Sequence, residues 1–170
     1  KVHVVEVKGQ LTDHYDPTKK VVNLSRDVYN GRNIAAAAVA AHECGHAVQH
    51  AVAYAPLQLR SALVPVVNFA SQWVSWILLI GVFSIEMFPG LIWIGIALFA
   101  TTTLFSFVTL PVEIDASKRA LSWLAQSNVT TPQTAEPARE ALRSAAYTYV
   151  IAAISSLGTL LYYISIARRD

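Results

Sequence analysis

The sequence predicts a mainly α-helical membrane protein in which three transmembrane helices accompany a small α+β portion. Three observations lead there. Of the 170 residues, 54% are apolar and only 14% are charged, well below the charged share of an ordinary soluble domain. Three stretches run for about 20 residues without a charge, the length that crosses ~30 Å of hydrocarbon. The beginning of the chain, by contrast, mixes β-branched and polar residues with turn signals, the pattern of short strands.

The same arithmetic excludes other classes. So apolar a chain is neither a disordered tail nor a collagen-like repeat. A net charge of +2 is too small to imply nucleic acid or another polyanionic partner. The single cysteine, Cys44, rules out an intramolecular disulfide and a cysteine-based zinc knuckle, and is expected to be a small buried side chain. The chain opens at Lys1 within an apparent strand, so it is expected to be cropped or processed, and the lack of a leader carries no information.

The elements follow in order. Val2, Val4, Val5 and Val7 surround Glu6 until Gly9 breaks the run, residues 11–15 resume it, and Asp16-Pro17-Thr18-Lys19 forms a turn into a third segment at 20–24. A small antiparallel sheet is predicted. Ser25 is placed to cap a short helix through Tyr29 that stops at Asn30-Gly31. Asn33 is the expected N-cap of a long helix from Ile34 to about Tyr54, which ends before Pro56. That helix is rich in alanine but holds His42, Glu43, His46, Gln49 and His50. Three imidazoles and a carboxylate are costly in lipid, which predicts a helix buried against the sheet rather than one that spans.

Residues 61–83, 91–110 and 145–167 read as the spanning segments, with Trp73, Trp76, Trp93, Tyr162 and Tyr163 as interfacial aromatics. The link at 84–90 is short, which predicts a tight transmembrane hairpin. Between the second and third spans lies a polar stretch, expected as a helix over 112–126 and a loop over 127–137. The chain therefore divides into 1–60, a hairpin at 61–110, a second polar part at 111–143, and a third span with its tail at 144–170. A hairpin returns the chain to the side it left, so 1–60 and 111–143 share one face. Of the 13 basic residues, all but Arg168 and Arg169 lie in those two parts, and the positive-inside rule makes that face cytoplasmic, with Arg168 and Arg169 counting the other way.

The chemistry is concentrated in His42-Glu43-Cys44-Gly45-His46, an HExxH motif on the predicted helix. Two histidines four residues apart project from one helical face, as two imidazole ligands to one Zn²⁺ must, and Glu43 is rotated about 100° from His42, where it can act as general base without being a ligand. A catalytic zinc takes three protein ligands and keeps one position open. The metzincin pattern would place a histidine where Val52 stands, so it does not apply. His50 lies a further turn along, and three ligands on one straight helix would spread over roughly 10 Å of rise; a substrate-facing or orienting role suits it better, as does an ordinary hydrogen-bonded one. Glu113 and Asp115 emerge where the second span returns to the HExxH face, and either can complete the set. Tyr147 and Tyr149 are placed to offer a phenol to an oxyanion or to sit in an interfacial belt.

The stretch LPVEIDASKRAL at 110–121, with DHYDP at 13–17, AVAAHECGHAVQHA at 38–51, APLQLRSALVP at 55–65 and AAYTYV at 145–150, resembles the bacterial membrane family of neutral zinc metallopeptidases typified by YugP, over essentially the whole chain. It is also similar to the gluzincins of the HtpX and CaaX-protease type, whose third ligand is the Glu of an ExxAD motif. Glu113 and Ala116 match that motif, whereas Ser117 replaces its Asp. The resemblance implies a small gluzincin-like α+β catalytic domain made of a short antiparallel sheet, the HExxH helix and a Glu-bearing helix. It implies Zn²⁺ held by His42, His46 and Glu113, with Glu43 as the catalytic base of a membrane-anchored endopeptidase. The substrate would be a polypeptide, either a membrane protein or an unfolded segment. The location would be the bacterial inner membrane, with the active site facing the cytoplasm. A further hydrophobic segment is expected ahead of Lys1. The Ser117 departure leaves the partner that orients a zinc histidine open between Asp115 and Asp13. Two other readings stand beside this one: a site-2-type intramembrane metalloprotease, disfavoured by the lack of an LDG motif, and an inactive metal-binding scaffold, disfavoured by the intact Glu43.

Overall fold

A computed structural model of the chain describes residues 1–168; Arg169, counted above against the cytoplasmic orientation, lies outside them. The chain divides into two compact units, one formed by Lys1–Gln58 with Pro111–Tyr147 and the other by Leu59–Leu110 with the chain from Thr148 onward.

The first unit opens with strands β1 (His3–Val7), β2 (His14–Asp16) and β3 (Val21–Ser25) in the order β1-β3-β2. The sheet is mixed rather than antiparallel. β2 pairs antiparallel with β3, Tyr15 opposite Val22, whereas β1 runs parallel to β3, His3 opposite Val21 through Val7 opposite Ser25. The turn explains both. Asp16 Oδ1 accepts the amides of Thr18 and Lys19 at 2.9 and 3.0 Å, an Asx-type reversal that fixes the β2–β3 hairpin. β3, which buries Val22 and Leu24, takes the central place, and β1 reaches its free edge from the other side. Residues 11–13 are not strand. Leu11 is left-handed at φ 54° and 97% exposed, so the chain loops back before pairing.

Ser25 does precede the short helix α1 (Arg26–Tyr29), but its side chain makes no capping bond. Its hydroxyl and backbone amide donate instead to the Asp13 carboxylate at 2.7–3.0 Å, tying the loop before β2 to the end of β3. Helix α2 (Ile34–Ala51) begins as expected, with the Asn33 side chain accepting the Ala36 amide at 2.8 Å. It stops before Tyr54 because Ala53 turns left-handed at φ 52°. The Tyr54 amide then closes on the Gln49 carbonyl and the Ala53 amide on that of His50, a Schellman ending with alanine where glycine is usual.

The alanines of α2 let it be approached closely from two sides. Ala47 packs on Val22 and Leu24 of the sheet. Ala38 and Ala41 pack on Ala120 and Leu124 of α4 (Pro89–Gln126) and on Ala138 and Leu142 of α5 (Pro132–Ala167).

Helices α3 (Ala55–Phe83), α4 and α5 are, among the described residues, long and apolar enough to cross a membrane. The expected separate helix at 112–126 is the continuation of α4, which passes through Pro111 without ending. The expected loop at 127–137 shortens, since α5 already begins at Pro132. Proline costs no hydrogen bond at a first helical position, and Thr134 Oγ1 accepts the Thr131 amide at 2.8 Å to hold that start.

In the second unit α3 and α4 form a hairpin whose core is Val74, Leu78, Ile92 and Ile96, with Tyr163 and Ile164 of α5 against it. A Cβ on Gly81 would lie 2.8 Å from the Ile92 Cα, so small residues set the helix spacing, as is usual in bilayers. Thr103 and Ser156 add an interhelical hydroxyl bond of 2.7 Å. Phe69, Trp76, Phe83, Ile151, Ile154 and Tyr162 remain exposed, as large apolar side chains that face lipid would be.

Candidate metal centre

Helical periodicity puts His42 and His46 one turn apart on α2, their rings edge to face with centroids 4.7 Å apart. α4 supplies Glu113, whose Oε2 lies 3.1 Å from His42 Nε2 and 3.6 Å from His46 Nε2. Among the described residues, the three ligand atoms of this trio all lie within 4.8 Å of one another. Two donors at ~2.1 Å from one tetrahedral zinc stand about 3.4 Å apart, close to both spacings. Two imidazole nitrogens and one carboxylate oxygen are also the donor set of a catalytic zinc with an open position. The residues present therefore fit the ion.

The outer ring nitrogens are engaged as well. His42 Nδ1 meets Ser117 Oγ at 3.1 Å. His46 Nδ1 meets Gln49 Oε1 at 3.0 Å. Gln49 in turn donates from Nε2 to the Val112 carbonyl and to Asp115 Oδ2, both at 2.8 Å, and Arg119 Nε donates to that same Asp115 oxygen at 2.6 Å. Metal-ligating histidines characteristically have such partners, which hold ring orientation. Of the two candidates for this role, Asp115 acts only through Gln49, and Asp13 is engaged by Ser25. The side chain that meets His42 Nδ1 is Ser117, the residue that departs from the ExxAD pattern. Gln49 was visible in the sequence only as one more polar residue on the helix; its spacing of three from His46 was the available signal.

Three of these groups are shifted from their ordinary values. Burial alone would raise Glu113, which is 3% exposed, but hydrogen bonds from His42 and His46 and their charge bring its carboxyl down to about 2. Burial works to lower His46, yet the hydrogen bond and charge of Glu113 prevail and raise it. Glu43, 8% exposed, is pushed above the ordinary carboxylate value by burial; His46 and His42 pull it back in part, and Glu113 and Asp13 add to the rise. A buried carboxyl of raised basicity beside this trio is suited to accept a proton.

Other sequence-derived candidates fall elsewhere. His50 is exposed, with Nδ1 3.0 Å from the Tyr15 hydroxyl. Tyr147 accepts from Arg143 Nε at 2.8 Å. Tyr149 belongs to the second unit. Cys44, expected to be buried, is exposed, as is Val48 one turn on along α2.

A family model described as "Putative neutral zinc metallopeptidase" matches residues 1–168. The chain belongs to this family. A curated relative, "Putative membrane protease YugP" of Bacillus subtilis (strain 168), is 44% identical over 165 residues, covering 97% of this chain and 72% of that protein. No solved structure gives a significant match. Family membership supports a zinc-dependent peptidase with a peptide substrate, and the three long apolar helices support association with a lipid bilayer.

Proposed function

We propose that this chain is a membrane-anchored zinc endopeptidase of gluzincin type, with His42, His46 and Glu113 as the metal ligands and Glu43 as the catalytic base. The observation that carries the reading is the convergence of two imidazoles from α2 and one carboxylate from α4, each imidazole with its outer nitrogen already bonded. When bound, zinc supplies Lewis-acid activation of water and of the scissile carbonyl.

The remaining work falls to the chain. Glu43 takes a proton from the attacking water, which its burial-raised basicity favours, and returns it to the leaving amine. Glu113, strongly acidic beside the two imidazoles, stays ionised throughout the neutral range and keeps its oxygen available as a ligand. Ser117 and Gln49 hold the rings in place. The excess of basic residues in 1–60 and 111–143 supports an active site facing the cytoplasm of a bacterial inner membrane.

The test is cleavage of an unfolded model polypeptide by detergent-purified protein and by Glu43→Gln. The variant is expected to retain zinc and lose at least ~10²-fold in rate, the usual worth of a general base. Full activity of a metal-loaded Glu43→Gln would remove Glu43 from the mechanism.

A further inference from the structure

We infer that Gln49 is a positioning residue that fixes the tautomer of His46, so that Nδ1 carries the proton and Nε2 presents its lone pair toward Glu113. This inference rests on the metal reading for its purpose and concerns the neutral ring; when His46 also carries a proton at Nε2, the hydrogen bond it then gives Glu113 leaves the Nδ1 donation to Gln49 unchanged.

The argument is one of donors and acceptors. Gln49 is 0% exposed, so every polar atom of its amide must find its partner within the protein. The nitrogen Nε2 lies 2.8 Å from two groups that only accept, the Val112 carbonyl and the Asp115 carboxylate. Reversing the amide would set its oxygen against both, and the repulsion decides the orientation that an amide otherwise leaves open. Oε1 is therefore the atom 3.0 Å from His46 Nδ1. An amide oxygen has no proton to give, so Nδ1–H must donate. A neutral imidazole carries one ring proton, which leaves Nε2 as the basic nitrogen on the side of Glu113 Oε2.

The rest of the network makes this arrangement rigid. Arg119 Nε donates to the Asp115 oxygen that also receives Gln49, so a cation on α4 holds a carboxylate, the carboxylate holds an amide on α2, and the amide holds the ring. A carboxylate at position 49 could accept from His46 but would face Asp115 and Val112 with no proton to offer. Glutamine supplies acceptance at one end and donation at the other. His42 differs, because the Ser117 hydroxyl can donate or accept and so does not by itself fix that ring's tautomer.

The test uses the whole chain in detergent, metal-free and ¹⁵N-labelled at histidine, at an alkaline pH where imidazoles are neutral. His46→Gln assigns the resonances by their loss. Nitrogen shifts are expected to show His46 protonated at Nδ1; an Nε2–H form or an even mixture overturns the inference. In Gln49→Leu the preference should vanish, and zinc affinity, read by competition with a chromophoric chelator, should fall ~10–100-fold. A Gln49→Leu protein with a lower melting temperature but an unchanged tautomer and unchanged affinity would make Gln49 only a tie between α2 and α4, and also overturns it. If that variant does not fold, the wild-type spectrum decides alone. Wild type with Nδ1–H present but no zinc binding would remove the metal reading and leave the tautomer assignment standing.

Discussion

A Cβ placed on Gly45 would stand 2.6 Å from the backbone oxygen of Ala116, so α2 and α4 meet backbone to backbone in the middle of the candidate site. Gly45 adjoins His46, and Ala116 lies between Asp115 and Ser117. This closeness lets His42 and His46 reach Glu113 and Ser117 across the helix pair. Gly45→Ala is expected to force the helices apart at a cost of about 1–3 kcal/mol, lowering the melting temperature in detergent and weakening zinc binding together. An unchanged melting temperature and affinity would contradict the contact.

Ser117→Ala removes the hydroxyl bonded to His42 Nδ1. Zinc affinity is expected to drop by about tenfold, the lower end of what lost orienting bonds cost. Ser117→Asp, which places a carboxylate at the same nitrogen, is expected to bind at least as tightly as wild type. Chelator competition on the three proteins measures both effects.

The shifted groups predict how the metal-free protein responds to pH. Glu113 sits at about 2 against an ordinary 4.5, so its contribution is present above ~4.5 and lost as pH falls toward 2. At ~1.4 kcal/mol per unit this amounts to about 3 kcal/mol. His46 is raised above 6.5, so its contribution is full below 6.5 and fades as pH rises through the raised value. Glu43, also raised, favours the fold below 4.5 and progressively less above it. The stability difference between wild type and Glu113→Gln, both stripped of metal, should therefore grow from pH 3 to pH 6 and shrink in alkali. Chemical unfolding across that range checks it, and a difference independent of pH would contradict the assignment.

Much of this was legible from the chain alone, for physical reasons that differ by element. Uncharged runs and Asn33 announce themselves locally, so the long helices and the start of α2 were readable. Strand direction was not, because the parallel pairing of β1 with β3 depends on which strand becomes central, and that is decided by the burial of Val22 and Leu24 under Ala47. Pro111 reads as a break, yet α4 continues through it. At the site, the HExxH spacing exposed His42, Glu43 and His46, whereas the partners of their rings depend on tertiary contact. Ser117 looked like a defect in a pattern and Gln49 like an ordinary polar residue; only the closeness of α2 to α4 at Gly45 gives either its place.

The central claim is that His42, His46 and Glu113 together hold one zinc ion, and metal stoichiometry of the detergent-purified, zinc-exposed and washed chain tests it most directly. Wild type and Glu43→Gln are expected to carry about one zinc per chain, as a three-ligand site with a non-ligating base requires, and Glu113→Ala close to none. A folded Glu113→Ala protein that keeps its full complement of zinc would contradict the account.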